Sequence, residues 1–182
     1  MKKAFTNLVL LDGSENMIPR RGHAILIEGE TITAVLPEKE CSLEGCEVID
    51  LNGQYLMPGL INLHVHIPAG GKPTGKPMDA RRSVKLATSN ALTRKYIEYM
   101  YKSYCRTELY SGVTTFRSVG GIENYDTWIR DLILSGKATG PRILAANMAI
   151  SVPGGHMEVS LAYEATTPRE AAEYVRKIAE DK

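Results

Sequence analysis

A chain of 182 residues, 43% of them hydrophobic, can bury a sizeable core as one domain or two small ones. Its 22 basic and 21 acidic side chains are well mixed and leave a net charge of +1, which excludes the electrostatic footprint of a nucleic-acid or anionic-membrane partner and favours small-molecule chemistry. Cys41, Cys46 and Cys105 are odd in number and form no Cys-x-x-Cys pair, so free thiols in a reducing, cytoplasmic setting are expected instead of a disulfide frame.

Met1-Lys2-Lys3 before an apolar run resembles a signal peptide only in outline. Thr6 and Asn7 interrupt the run, Asp12 closes it, and no small-residue cleavage site follows, so the stretch 4–11 reads as a strand. No window reaches the length of a membrane span. A turn at Asp12-Gly13 follows, then strands over 23–28 and 31–36 joined by a tight turn at Glu28-Gly29-Glu30. A further strand near 47–50 leads to Asn52-Gly53, a strong hairpin dipeptide. Residues 1–57 therefore form a small all-β unit.

At Pro58 the periodicity changes. Strand 60–66 runs through a Gly/Pro-rich loop, 67–80, into helical stretches between about 82 and 110. Strand 113–117 leads to a helix near 124–135 that stops at Gly136. Strand 142–147 leads through loop 151–157 to a helix that begins near Pro168, capped by Thr167. Such alternation implies parallel strands with right-handed crossovers, and three βα units are visible in 58–182.

The first of these strands carries the most informative residues. Successive side chains in a strand alternate faces, so Leu60, Asn62, His64 and His66 share one face and Ile61, Leu63 and Val65 the other. In a (β/α)8 barrel the apolar face packs under helices, while inward groups at the C-terminal end meet at the active site. There His64 and His66 can supply two imidazole ligands to a divalent ion at about 2.0 to 2.1 Å. A surface strand that turns the two histidines to water would show the same alternation without a metal.

Gly70-Gly71-Lys72-Pro73-Thr74-Gly75-Lys76-Pro77 approaches a phosphate loop but has Pro77 where Ser or Thr must hold Mg²⁺, and prolines where backbone N–H groups are needed. A substrate-contacting loop after the first barrel strand is the better reading. Arg117, at the end of the second strand, suits a structural ion pair or an anionic substrate group. His23 reads as a surface or half-buried residue of the β unit. Tyr96, Tyr99, Tyr101, Tyr104 and Tyr110 read as helix packing with partly exposed rings.

Pro58 to His66 resembles the Pro-Gly-(hydrophobic)-(hydrophobic)-Asp-x-His-x-His signature that opens the barrel of the amidohydrolase superfamily of metal-dependent hydrolases. Gly112-Val113-Thr114-Thr115-Phe116-Arg117-Ser118-Val119-Gly120-Gly121 is similar to the second barrel strand of its prolidase-like and imidazolonepropionase-like branch. Gly140-Pro141-Arg142-Ile143-Leu144, followed by Gly154-Gly155-His156, resembles that branch's third strand and loop. The pattern is departed from at Asn62 and Ser118, where Asp is usual, and at Met157, where Gly is frequent. Two missing carboxylates would alter the outer shell that orients metal ligands.

The resemblance implies a partial TIM (β/α)8 barrel of three βα units at 58–182, preceded by part of a β-sandwich at 1–57. A complete barrel takes about 250 residues. It further implies a divalent metal, zinc above all, as one or two ions on His64 and His66, a substrate contact at His156, and hydrolysis of an amide, peptide or cyclic amide C–N bond by metal-activated water. Glu158 lies near His156 without an assigned role. In the family the other ligands, a carboxylated Lys, two His and an Asp that handles the proton, come from later strands. The chain alone is thus expected to bind metal weakly, to turn over no substrate and, with open apolar edges, to self-associate as a homo-oligomer. A short, non-catalytic homologue used for binding or assembly is the alternative.

Overall fold

Asn7 divides the first of the expected strands. In the computed structural model, which describes residues 1–70, 79–157 and 160–180, that stretch forms β1 (Lys2–Thr6) and β2 (Val9–Leu10), with Asn7 between them in the left-handed region at φ 51°. There follow β3 (Arg20–Arg21), β4 (His23–Glu28), β5 (Thr31–Pro37), β6 (Cys46–Asp50) and β7 (Tyr55–Leu56). They make two sheets, ordered β5-β4-β1-β6 and β3-β2-β7. Glu28 pairs with Thr31 across Gly29 and Glu30, so the expected tight turn closes a hairpin there.

Asn52-Gly53 does not. Its residues have the positive φ values of a hairpin turn, 50° and 75°, but β6 lies parallel to β1 and β7 lies parallel to β2. The segments 2–10 and 46–56 run side by side and pass from one sheet to the other together. Gly53 N donates to Asn7 O at 2.7 Å, Asn7 Nδ2 to Asp50 Oδ1 at 2.8 Å, and Asn52 N to that same oxygen at 2.7 Å. Each of the flanking strands finds its ladder in this parallel neighbour, so the turn serves as a kink. Leu8, Leu10 and Ile25 form the small core, with Phe5, Ile27, Leu51 and Leu56 packed on it.

Chain contacts separate this unit, Met1–Pro58, from a second, Gly59–Lys182. The second contains β8 (Leu60–Val65), α1 (Ala80–Ala87), α2 (Ala91–Tyr110), β9 (Val113–Ser118), α3 (Tyr125–Leu134), β10 (Arg142–Leu144), β11 (Ala149–Ser151), β12 (Ala162–Glu164) and α4 (Pro168–Glu180). β10, β9 and β8 form an open parallel sheet in that order, and β11 and β12 a separate parallel pair. Helices between consecutive parallel strands place the unit in the mixed α/β class, and its described strands form no closed barrel.

Local chemistry sets the helix ends. Asn90 Oδ1 accepts from Leu92 N and Thr93 N, both at 3.0 Å, and Thr93 Oγ1 accepts from Asn90 N at 3.3 Å, a capping box that starts α2. Gly136 at φ 71° follows α3. Thr167 Oγ1 accepts from Glu170 N at 3.2 Å and Pro168 opens α4, as expected. α2 buries Ile97, Tyr101 and Cys105, spaced four apart, against Phe116 of β9, Ile129 of α3 and Ile143 of β10.

The sheet corrects two expectations. β10 ends at Leu144, three residues early, and the supposed loop at 151–157 begins inside β11. Ile61 and Leu63 were expected beneath helices, yet they are 65% and 57% exposed. β8 is an edge strand with β9 as its neighbour, and Val65 is the residue of that face which reaches the core. Among the described residues no helix is long and apolar enough to cross a membrane.

Candidate functional site

The site is built on the C-terminal end of β8. Gly59 precedes the strand because Thr114 of β9 lies against it: a Cβ there would stand 2.1 Å from Thr114 Oγ1. That close approach brings β8 and β9 together. Arg117 Nε donates to Leu63 O at 3.0 Å, and Val119 N to Val65 O at 3.0 Å, so β9 pins the end of its neighbour. Arg117 is exposed and joins no ion pair among the described residues, so the expected structural ion pair is not formed there. It straps a strand.

His64 is exposed and His66, just past the strand, is half-buried. Their Nε2 atoms converge to 3.3 Å and the rings meet edge to face. His66 Nδ1 lies 3.0 Å from Gly120 O. A carbonyl can only accept, so Nδ1 carries the proton, and in the neutral ring Nε2 is then bare. Two ligands of a tetrahedral zinc, each at about 2.0 to 2.1 Å, stand about 3.3 to 3.4 Å apart. The two Nε2 atoms have that separation, and a carbonyl behind the ring is the usual orienting partner of a ligating histidine. The pair fits two positions of a metal site. Among the described residues no cluster of three His, Cys, Asp or Glu could hold a metal ion.

His156 is exposed in its loop, and its ring centroid lies 6.4 Å from that of His66. The structure thus brings the three expected histidines to one place. Asn62 Oδ1 accepts from His64 N at 3.2 Å, which ties its amide to the strand's own backbone. His23 belongs to β4, in the other unit, with Nδ1 3.0 Å from Arg21 O. The near-phosphate loop from Gly71 to Pro77 and Glu158 lie outside the described residues.

Sequence reasoning missed Asp126. It lies in the first turn of α3, where an acidic residue is ordinary and gives no signal. In the structure it is completely buried beside Ser118, a residue that departs from the family pattern by lacking a carboxylate. Burial pushes its carboxyl pKa up, against the opposing pull of the Ser118 and Tyr101 hydroxyls, the Asn147 backbone and the more distant His66. That cage is loose, since neither carboxylate oxygen has a partner at full hydrogen-bond geometry. Nearby, burial and the Asp126 charge push the Cys105 thiol up to about 12, so it is an inert core group.

The profile described as "Amidohydrolase family" matches residues 55–182. A prolidase candidate from Bifidobacterium longum superposes with a TM-score of 0.76 at 27% identity over 99% of this chain and 38% of its own. A Xaa-Pro dipeptidase with methionine bound in its active site gives 0.70 at 25% identity, over 100% of this chain and 45% of its own. The imidazolonepropionase of Chromobacterium violaceum is 42% identical over 53 residues, 28% of this chain and 13% of that protein. The chain therefore spans less than half the length of these solved relatives.

Proposed function

Because this chain belongs to the amidohydrolase family, we propose that residues 58–182 are the first three βα units of a metal-dependent hydrolase barrel, with residues 1–57 as part of the accompanying β-sandwich. His64 and His66 are two ligands of a divalent ion, zinc above all. The observation that carries this reading is the 3.3 Å separation of the two Nε2 atoms, with the His66 tautomer fixed by Gly120. When bound, the ion would supply Lewis acidity toward a carbonyl and toward water.

The residues of this chain do the rest of what it contributes. His66 presents a bare Nε2 held in place from behind. His64 turns its Nε2 to the same point from an exposed strand end, where a ligand can be reached from solvent. His156 stands on the rim as a substrate contact, suited to the carboxylate or carbonyl of a dipeptide-like amide. The substrate class is an amide, peptide or cyclic amide C–N bond, with Xaa-Pro dipeptides among the candidates. Two imidazoles fall short of the about three protein ligands of a catalytic zinc, so hydrolysis belongs to the family's full ligand set.

Titration with Co²⁺, read by its visible absorption, and with Zn²⁺, read by calorimetry, tests the assignment. Weak binding that is lost in both His64→Ala and His66→Ala is expected, with His23→Ala unchanged. Equal affinity in wild type and both site variants would refute it.

A further inference from the structure

The wall behind His66 is two glycines thick. A Cβ on Gly120 would stand 3.2 Å from His66 Nδ1, and a Cβ on Gly121 would stand 2.2 Å from Asp126 Oδ1. One face of this backbone is therefore covered by the imidazole and the other by a buried carboxylate. Gly121 has no room for a side chain, and at Gly120 the imidazole would have to give way.

The peptide unit between the two glycines hangs from both sides. Its carbonyl, on Gly120, accepts from His66 Nδ1, and its N–H, on Gly121, donates to Asn147 O at 2.7 Å. Asn147 is itself buried, in the left-handed region at φ 59°, and its Oδ1 accepts from Thr127 N at 3.0 Å in the first turn of α3. Its backbone faces the Asp126 carboxylate. On the far side Ser118 Oγ accepts from Ala146 N at 2.9 Å, and Tyr101 Oη accepts from Ile122 N at 3.0 Å, which leaves both hydroxyl protons free to turn toward Asp126. β9, α2, α3 and the segment after β10 thus meet around one carboxylate.

We propose that Asp126 is a positioning residue for His66: by gathering Ser118, Tyr101 and Asn147 behind the Gly120–Gly121 peptide, it fixes the carbonyl that holds the imidazole in its Nδ1–H tautomer. A carboxylate often orients a ligating histidine directly. Here it does so through one peptide unit, and the carboxylate comes from a helix instead of the strand. The use of the exposed Nε2 rests on the metal-site reading above. The tautomer itself does not, and can be measured without metal.

The test is ¹⁵N-histidine labelling of the whole chain at pH 8, with imidazole ¹⁵N resonances recorded for wild type, Asp126→Asn, Asp126→Ala and Gly121→Ala. Wild-type His66 should show a single Nδ1–H tautomer. Asp126→Ala and Gly121→Ala should lose that signature and shift toward a mixture of tautomers, Asp126→Asn less so, while His23 stays unchanged as a reference in the other unit. Zn²⁺ affinity should fall on the order of 10-fold in step with the tautomer. A wild-type His66 that carries its proton on Nε2 overturns the proposal whether or not any variant folds. So does a folded Asp126→Ala or Asp126→Asn whose His66 resonances match wild type. If wild type binds no metal but its tautomer responds to Asp126, the metal reading fails and the positioning role stands.

Discussion

In Met1–Pro58 charged side chains pair at the surface, as Lys2 with Glu28 and Lys3 with Glu47, above a core of Leu8, Leu10 and Ile25. In Gly59–Lys182 the core around Phe116 and Ile129 runs directly into buried Ser118, Asp126, Thr127 and Asn147. Among the described residues no polar side chain of the first unit is buried in this way. Buried polar groups without full partners cost stability, so a unit that only packs keeps them outside. In the second unit Asp126 bears that cost, close to His66.

The largest expected effect sharpens this contrast from the apolar side. Phe116→Ala, at a fully buried position, should destabilise the second unit by about 3 to 5 kcal/mol in urea denaturation, and leave a probe on Tyr55 of the first unit unmoved. A simultaneous shift of both would break the comparison. Asn90→Ala removes the capping box of α2 and should cost about 1 kcal/mol, again in the second unit alone.

Asp126 tests the polar side. Its folded pKa is raised, so the folded state holds the proton more tightly than the unfolded one, and stability falls as pH rises from the ordinary carboxylate value through the raised one. Asp126→Asn should flatten that fall: its melting temperature should match or trail wild type at pH 4, and the difference should turn in its favour as pH rises. A wild type that gains stability over that range relative to the variant would show Asp126 to be well paired. The smallest effect belongs to the surface. Lys2→Ala, which breaks an exposed pair, should leave the midpoint unchanged within error.

The fold was legible wherever a rule is local. The strands at 23–28 and 31–36, the tight turn between them, the strand–helix alternation after Pro58, the stop at Gly136 and the Thr167–Pro168 start of α4 follow from side-chain periodicity and from groups a few residues apart. The site was legible as a spacing: two positions apart on a strand puts His64 and His66 on one face. The sequence could not show that Asn52-Gly53 kinks between two sheets. Its residue types suit a hairpin, and the outcome was decided by Asn7, far away in the chain.

By itself, then, the sequence determined the strand–helix alternation, the Gly136 stop, the Thr167 cap and the paired imidazoles, because each depends on near neighbours along the backbone. Only the tertiary structure decided that β8 is an exposed edge, that Gly120 turns a carbonyl onto His66, and that a helix delivers Asp126 behind that carbonyl. Those contacts join residues from β8, the β9–α3 turn and the segment after β10. No pattern within one element encodes them, since they arise only when parallel strands and their crossing helices close on a common core.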